Sequence, residues 1–569
     1  MPRLKVFTIL IYLAFALVIG RLFYWQIIKG DALSASVRFQ HEAGYVISAP
    51  RGNIKAHDKS FLVASQDNYL LFASLNELSL SPTELSNELA PFLAEDQSVV
   101  GIKNEEMQIK EALSRTGVVW VPIKHQITST VKKNIEALKI RGIGFDPEEG
   151  RFYPEASSAA QLLGFVGKNS QGEDKGYFGL EGYYDLVLSG KPGFMEREED
   201  VFGDPILIGK VKEIGAIEGV DLVTYIDKTV QLALDVELKK GVEKYGAKSG
   251  SVIVMDPMTG GVLGMSSYPN YDPSKYWEYG NEFFLNPAIS SSFEPGSVFK
   301  VIVMASALDA HIVNPDTKCE TCYGPLKVDK YSIETWNNVY HPNSSMTEVI
   351  VNSDNVGMAF TARKLGEERM LDYLKKFGIG SRTEIDLQGE SSPALRSDKD
   401  WSEVDLVTAG FGQGIAVTPI QLIRAVGAIA NRGILMKPKV VSELTAGDRE
   451  FAVDKNEGVR VISQETSSLI TAMMVEAAKH GESKWTYQKG FKVAGKTGTA
   501  QIPIAGHYDA DKTNASFIGF APYDKPKFIM FVTLQEPASS PWASETAAPL
   551  WYTIARKLFL YFDMQPEGE

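Results

Sequence analysis

The chain has 569 residues, more than one hydrophobic core accommodates, so several domains are expected. Apolar residues make up 44% of the sequence and charged residues 23%, which is ordinary for folded soluble domains. The net charge is −13, and lysine and arginine form no run beyond short pairs such as Lys132-Lys133, which argues against nucleic acid as a partner.

An apolar segment near the N-terminus predicts a membrane anchor. Phe7–Gly20 contains no charge, and apolar residues resume after Arg21, so a single transmembrane helix is predicted over 7–25. Arg21 can extend towards the headgroups from one end of such a helix. Arg3 and Lys5 precede the segment and orient the N-terminus towards the cytoplasm.

A cleaved signal peptide is the alternative interpretation of this segment. A weak cleavage site, Ala32-Leu33-Ser34, lies well beyond the apolar run, with an arginine in between. A retained single-pass anchor is therefore favoured, with residues 1–6 as a cytoplasmic tail. Everything after residue 30 is then expected outside the cytoplasmic membrane, on the periplasmic or cell-wall side.

Residues 30–230 are predicted to form a β-rich N-terminal module with helical inserts, a pedestal for the C-terminal half of the chain. Pro50–Asn53 is a turn between two short strand-like runs, Tyr45–Ser48 and Phe61–Ala64. A helix beginning near Leu85 is expected to stop at Pro91, because proline cannot donate to the helical hydrogen-bond ladder.

Residues 245–565 are predicted to form a second module, entered through a helix over 227–245. Its pattern has strands at both ends and helices between them, which indicates one sheet with helices packed on it, a mixed α+β or α/β multidomain chain overall. The predicted elements are the strand pair within Ser251–Met265, helices at Val298–Leu308, Val356–Phe377 and Pro419–Ala430, strands at Ala515–Ala521 and Phe528–Leu534, and a helix over Ser544–Phe562.

The first motif that suggests chemistry is Ser297-Val-Phe-Lys300. Pro295 and Gly296 end a loop, so Ser297 is expected in the first turn of the following apolar helix, where unpaired N–H groups favour an anionic oxygen. The spacing of three places Lys300 on the same face. An amine acts as a base only when burial or nearby positive charge holds it neutral. This spacing is common by chance, and a second copy over 129–132 is expected to be a surface feature.

Two further motifs lie later in the chain. Ser353-Asp354-Asn355 offers a hydroxyl for proton relay and an amide for orienting a peptide bond, while no role is assigned to Asp354. Lys496-Thr497-Gly498-Thr499 offers a cation and hydroxyls suited to a carboxylate, with a glycine that permits close approach. Each motif is weak alone, but this set in this order is typical of penicillin-binding proteins and class A β-lactamases.

Phosphate binding and metal or redox chemistry compete with this interpretation. Gly490–Thr497 matches the P-loop pattern, but a polar segment precedes it and no helix can follow before Pro503.

Cys319 and Cys322 form a CxxC in a loop-like segment without further ligands, which favours either a local disulfide or two spectator thiols. No metal and no cofactor are expected.

From Pro295-Gly296-Ser297 onward the chain resembles a class B penicillin-binding protein, and the resemblance covers nearly all of it. Asp354–Met358 and Gly410–Gly414 resemble the division-specific branch more than the elongation branch. The remaining features that carry the resemblance are the anchor, Pro50–Asn53, Gly179-Leu180-Glu181, Gly190–Gly193, the three motifs, Val417–Leu422, Lys496–Ala500 and Ser516–Pro522.

This resemblance implies a peptidoglycan D,D-transpeptidase that acts through a serine acyl-enzyme. Ser297 would attack the D-alanyl-D-alanine carbonyl of a stem peptide, and Lys300 would take the serine proton. Ser353 would pass a proton to the leaving amine, and Asn355 would hold the donor peptide. An amine from a second stem peptide would resolve the acyl-enzyme, and β-lactams would block it.

The family also implies how the substrate is bound. Lys496, Thr497 and Thr499, with Gly498 between them, would bind the terminal carboxylate. The backbone N–H groups of Ser297 and Thr499 would form the oxyanion hole. Implied partners are a polytopic glycan polymerase and other division proteins. The alternatives are an elongation-type transpeptidase, a β-lactamase or β-lactam sensor, and a non-catalytic scaffold.

Overall fold

The structure is a computed structural model, and it describes residues 2–33, 42–198, 211–396, 401–453, 457–504 and 507–566. In chain order the α-helices, labelled α1 to α17, are Pro2–Phe23, Pro82–Leu93, Val99–Leu113, Ser129–Glu136, Ala160–Leu163, Gly179–Tyr183, Asp185–Leu188, Lys228–Tyr245, Pro287–Ser290, Lys300–Asp309, Met346–Val351, Asn355–Leu365, Glu367–Lys376, Glu403–Ala409, Pro419–Ala430, Gln464–His480 and Ala547–Tyr561.

The strands, labelled β1 to β21 in chain order, are Glu42–Ile47, Ile54–Lys55, Phe61–Ser74, Trp120–Thr128, Ile143–Phe152, Phe165–Lys168, Asp174–Tyr177, Gly193–Glu198, Val211–Ile214, Asp221–Thr224, Ser249–Met255, Val262–Tyr268, Leu326–Val328, Tyr331–Ile333, Ile434–Leu435, Val441–Ala446, Arg449–Ala452, Val459–Arg460, Ala494–Ile504, His507–Ala521 and Phe528–Gln535.

The N-terminal helix α1 continues into a π-helical turn, Tyr24–Ile28. Together they form 27 helical residues, Pro2–Ile28. The most apolar 18-residue window of this helix has a mean hydropathy of 2.3 and no buried residue. By length and composition this helix can cross a membrane. It contains the segment predicted as the anchor and also the residues predicted as the tail.

The described residues divide into two compact units. The smaller unit comprises residues 2–51 and 189–219, and it contains α1 and a three-stranded antiparallel sheet in the order β1-β8-β9. The larger unit comprises 52–188 and 220–566.

The N-terminal part of the larger unit contributes five strands to a seven-stranded sheet in the order β17-β16-β10-β2-β3-β4, with β5 paired to β3. The other two strands, β16 and β17, come from residues 441–452. Apart from the parallel pair β10–β2, the strands of this sheet are antiparallel. Helices α2 and α3 bury apolar side chains such as Leu89 and Ile109 against Leu71 of β3. This region is mixed α and β, as the sequence pattern predicts.

The C-terminal part is a five-stranded antiparallel sheet in the order β12-β11-β21-β20-β19. Alternate residues of a strand face opposite sides of a sheet. Met530 and Val532 of β21 pack with α8 and α17, whereas Ile529 and Phe531 pack with the helices α10, α12, α15 and α16. The predicted sheet flanked by helices is confirmed.

Two predicted helices differ from the structure. The periodicity over Val356–Phe377 is split at Gly366, which has a φ of +79° and separates α12 from α13. The prediction that a helix stops at Pro91 is wrong: α2 continues to Leu93. Leu89 and Leu93 are both buried, so packing holds the last turn although Pro91 cannot donate a hydrogen bond. Helix α15 has the predicted bounds.

The CxxC segment lies between α10 and β13 in the larger unit. Cys319 and Cys322 form a disulfide and are both buried. Of the two interpretations of these cysteines, the structure therefore selects the local disulfide.

Candidate active site

The turn that carries Ser297 is a single 3₁₀ segment, Gly296–Phe299, that leads directly into α10. Gly296 has a φ of +57°, which a side chain would disfavour, and its N–H donates to Gly412 O at 3.0 Å. The serine itself is half-buried, whereas its neighbours Gly296 and Val298 are buried.

Lys300 opens α10 and is completely buried. Its Nζ donates to Ser353 O at 2.6 Å, Ser353 Oγ at 3.2 Å and Asn355 Oδ1 at 2.7 Å. Burial, together with the positive charge of Lys496, lowers the pKa of Lys300 to about 7, against the opposing effects of Glu482 and Asp354. A large share of this amine is therefore neutral near pH 7, which is what a general base requires.

The Ser353 segment joins two helices, α11 and α12. Ser353 adopts a φ of +54°, an uncommon conformation for a residue with a side chain, and it is buried. Asp354 Oδ1 accepts hydrogen bonds from Val356 N at 2.8 Å and Gly357 N at 3.1 Å, which makes Asp354 the N-cap of α12. This cap fixes the backbone that follows Ser353, and the preceding backbone is held by the hydrogen bonds of Ser353 N to Ile350 O and Asp354 N to Val349 O.

Lys496 lies on β19 and is 3% exposed. Its Nζ donates to Ser353 Oγ at 3.0 Å, Thr497 O at 3.2 Å and Thr497 Oγ1 at 3.1 Å. Burial lowers the pKa of Lys496, and the carboxylate of Glu482 opposes that shift. The hydroxyl of Ser353 is thus held between two buried lysines from distant parts of the chain.

Two glycines allow β19 to pack against the serine turn. A Cβ placed on Gly498 would lie 2.7 Å from Val298 Cγ1 and 3.1 Å from Pro295 O. A Cβ on Gly296 would lie 3.1 Å from Thr499 O. A Cβ on Gly498 would also lie 2.8 Å from Ser516 Oγ of β20, so Gly498 is closely packed against both the serine turn and β20. Thr499 lies beside Gly296, the residue that precedes Ser297.

Sequence reasoning missed several residues that surround this site. Glu482 Oε2 accepts from Thr497 Oγ1 at 2.7 Å, and Thr499 Oγ1 accepts from Ala543 N at 3.0 Å. Asn355 Nδ2 donates to Glu334 O at 2.9 Å. No local pattern marks Glu482 or Glu334 as site residues. The capping role of Asp354 had a signal, because an aspartate directly precedes a helical run.

The arrangement suits nucleophilic catalysis, and the P-loop pattern lacks the geometry of a phosphate site. The P-loop pattern ends inside β19 and is not followed by a helix, so its backbone cannot form the phosphate cradle. Among the described residues there is no group of three or more metal-ligating side chains. Ser297, Lys300, Ser353, Asn355 and Lys496–Thr499, predicted from three separate motifs, occupy one region of the larger unit.

Comparison with known proteins places this geometry in context. The family model for the penicillin binding protein transpeptidase domain matches residues 250–558, and the model for the penicillin-binding protein dimerisation domain matches residues 46–224.

Similar proteins extend over nearly the whole chain. Stage V sporulation protein D of Bacillus subtilis is 30% identical over 96% of this chain and 83% of its own length. The probable peptidoglycan D,D-transpeptidase PenA of Neisseria meningitidis serogroup A is 28% identical over 94% of this chain and 88% of its own. The crystal structure of penicillin binding protein 2X from Streptococcus thermophilus matches with a TM-score of 0.74 and 24% identity, over 92% of this chain and 80% of that one.

Proposed function

The chain belongs to the class B penicillin-binding proteins, and on that premise we propose that it cross-links peptidoglycan stem peptides through an acyl-enzyme on Ser297. One observation carries the proposal. The Ser353 hydroxyl lies 3.2 Å from Lys300 Nζ and 3.0 Å from Lys496 Nζ, beside the turn that holds Ser297.

Acylation begins with proton removal from Ser297. Two of the three partners of Lys300, Ser353 O and Asn355 Oδ1, are carbonyl oxygens that have no proton to give. A neutral Lys300 that donates to both keeps its lone pair for a hydroxyl. That lone pair takes the Ser297 proton as Ser297 Oγ bonds to the carbonyl carbon of the donor D-alanyl-D-alanine.

The leaving group then needs a proton. The C–N bond breaks when the departing D-alanine amine is protonated, and Ser353 relays the proton because its Oγ contacts Lys300 Nζ directly. Asn355 holds the donor peptide. The N–H groups of Ser297 and Thr499 stabilise the oxyanion, and the close approach of Gly296 to Thr499 O supports this pairing.

Lys496, Thr497, Gly498 and Thr499 receive the terminal carboxylate of the donor. The Lys496 ammonium provides the charge, and the Thr499 hydroxyl, whose oxygen accepts from Ala543 N, donates its proton to the carboxylate. The Thr497 hydroxyl accepts from Lys496 Nζ and holds that ammonium in place. An acceptor amine from a second stem peptide attacks the acyl-enzyme, re-forms an amide and returns the proton to Ser297.

A septal role is the second part of the proposal. Its support is the sequence at Asp354–Met358 and Gly410–Gly414 and the similarity to proteins named PenA and FtsI. The apolar N-terminal helix anchors the chain in the cytoplasmic membrane with the catalytic domain outside the cytoplasm. A polytopic glycan polymerase and other division proteins are the proposed partners. Inhibiting the protein in growing cells should then produce filaments rather than round cells.

Labelling with fluorescent penicillin tests the chemistry. The full-length protein should acquire one covalent label and lose it slowly, and Ser297→Ala should remain unlabelled. Ser129→Ala, in the other Ser-x-x-Lys sequence, is the matched control and should label normally. Rapid loss of the label would indicate a β-lactamase instead. A labelled Ser297→Ala variant would contradict the nucleophile assignment.

A further inference from the structure

The half-buried carboxylate of Glu482 has no place in the mechanism above, yet it contacts the site. Its Oε2 accepts from Thr497 Oγ1 at 2.7 Å, and that hydroxyl accepts from Lys496 Nζ at 3.1 Å. Lys496 Nζ reaches Ser353 Oγ at 3.0 Å, which lies 3.2 Å from Lys300 Nζ. A continuous chain of hydrogen bonds thus links one carboxylate to both lysines.

The direction of these hydrogen bonds matters. A threonine hydroxyl has a single proton, and a carboxylate can only accept. Thr497 therefore gives its proton to Glu482 and turns its lone pairs towards the Lys496 ammonium. Glu482 favours the charged form of Lys496 both through this orientation and through its own negative charge.

The charged groups that act on the two lysines are few. For Lys300 they are Lys496, which lowers the pKa, and Glu482 and Asp354, which raise it. For Lys496, Glu482 is the sole such carboxylate among the described residues, and it opposes the effect of burial on the pKa. Asp354, whose Oδ1 caps α12, acts on Lys300 but not on Lys496, so Glu482 is the carboxylate that acts on both amines.

We propose that Glu482 is a positioning residue, the counter-ion of both buried lysines, and that it sets the pH window in which the site acylates. The inference rests on the proposed function, because it needs Lys300 neutral as the base and Lys496 charged as the carboxylate receptor. In a plot of the acylation rate constant against pH, the rise on the acid side then reports the deprotonation of Lys300. The fall on the alkaline side reports the deprotonation of Lys496.

Removal of the Glu482 charge should shift both limbs of the acylation rate profile in the same direction. Glu482 raises the pKa of each lysine, so removal of its charge lowers both. Lys300 then becomes neutral at a lower pH, and Lys496 loses its proton at a lower pH. The whole profile should move towards acid, whereas a merely structural role for Glu482 would lower the rate without moving the profile.

The test measures the second-order rate constant of acylation by fluorescent penicillin from pH 5 to pH 10 on the full chain. Glu482→Gln keeps an oxygen that can accept from Thr497 but removes the charge, and both limbs should shift down by roughly one pH unit. Glu482→Ala removes the charge and the hydrogen bond and should shift them in the same direction. Thermal unfolding checks that each variant is folded.

Glu476→Gln is the matched control. Glu476 lies on α16, has a side chain 45% exposed and pairs with His480 at 3.6 Å. Its profile should coincide with that of the unmodified protein. Unmoved limbs in both Glu482 variants would overturn the proposal, and so would an equal shift in Glu476→Gln. Failure of the unmodified protein to label at any pH would refute the proposed function instead.

Discussion

Two segments of the molecule share the same local sequence pattern but differ in their surroundings. Ser129 and Lys132 begin α4 as Ser297 and Lys300 begin the helical segment that leads into α10. Lys132 is 24% exposed and its Nζ lies 3.8 Å from the centroid of the Tyr69 ring. The prediction of a surface feature is thus only partly right, because Lys132 packs on an aromatic ring and contacts Glu136 at 3.7 Å.

The comparison teaches that spacing alone does not make a catalytic pair. Lys132 retains solvent contact and has a carboxylate and an aromatic ring as neighbours, and both favour a charged amine. Lys300 is fully buried, meets two carbonyl oxygens and a hydroxyl, and faces the charge of Lys496. Burial and a second cation convert the same helical spacing into a base.

The largest expected effect comes from exchanging each lysine for methionine. Lys300→Met should lower the rate of acylation by about 10² to 10⁴-fold, because the serine loses its base while the buried volume is kept. Lys132→Met should leave that rate unchanged and cost about 0.5–1 kcal/mol of stability through the lost contact with Tyr69. Stopped-flow acylation and thermal unfolding measure the two effects. Equal losses of the acylation rate in both variants would contradict the claim that Lys300, and not Lys132, is the base.

Replacing the second lysine sharpens the comparison. Lys496→Met should lower acylation by about 10² to 10³-fold, since a charge that binds the substrate carboxylate is lost. Burial, together with the charge of Lys496, lowers the pKa of Lys300 to about 7. Removal of that charge should raise the pKa of Lys300, so the acid limb of the rate profile should also move to higher pH in this variant.

Lys492→Met is the control for this substitution. Lys492 is four residues earlier in the chain and pairs with Asp524 at 2.7 Å on the surface. This variant should keep both the rate and the position of the acid limb. An acid limb that does not move in Lys496→Met would contradict the coupling between the two lysines.

What the sequence could predict depends on how local each feature is. Ser297 and Lys300 are one helical turn apart, so a short motif identifies them, and the family resemblance links them to Ser353 and Lys496. The order of strand-like and helical segments along the chain predicts the sheet with flanking helices.

Features that arise from distant contacts were not predictable in this way. The need for glycine at 498 comes from Val298, which is remote in sequence, and from Ser516 of the neighbouring strand. Atoms of these residues would lie 2.7 and 2.8 Å from a Cβ at that position. Glu482 belongs to no recognisable sequence motif, and it is identified as a site residue only because the fold brings its carboxylate to the Thr497 hydroxyl. The continuation of α2 past Pro91 likewise depends on the core beneath it.

The smallest expected effect concerns the helix caps of the two segments. Asp354 caps α12 with two hydrogen bonds, at 2.8 and 3.1 Å, and is buried, whereas Thr128 caps α4 through one bond of 3.4 Å to Val131 N. Asp354→Ala should therefore cost about 1–2 kcal/mol of stability and Thr128→Ala about 0.5 kcal/mol. Chemical denaturation of the two variants measures this difference.

Asp354→Ala should also slow acylation, since Ser353 loses the cap that fixes its backbone, and Thr128→Ala should not. A larger stability loss in Thr128→Ala would mean that the Ser353 segment is held by its neighbours rather than by its own cap.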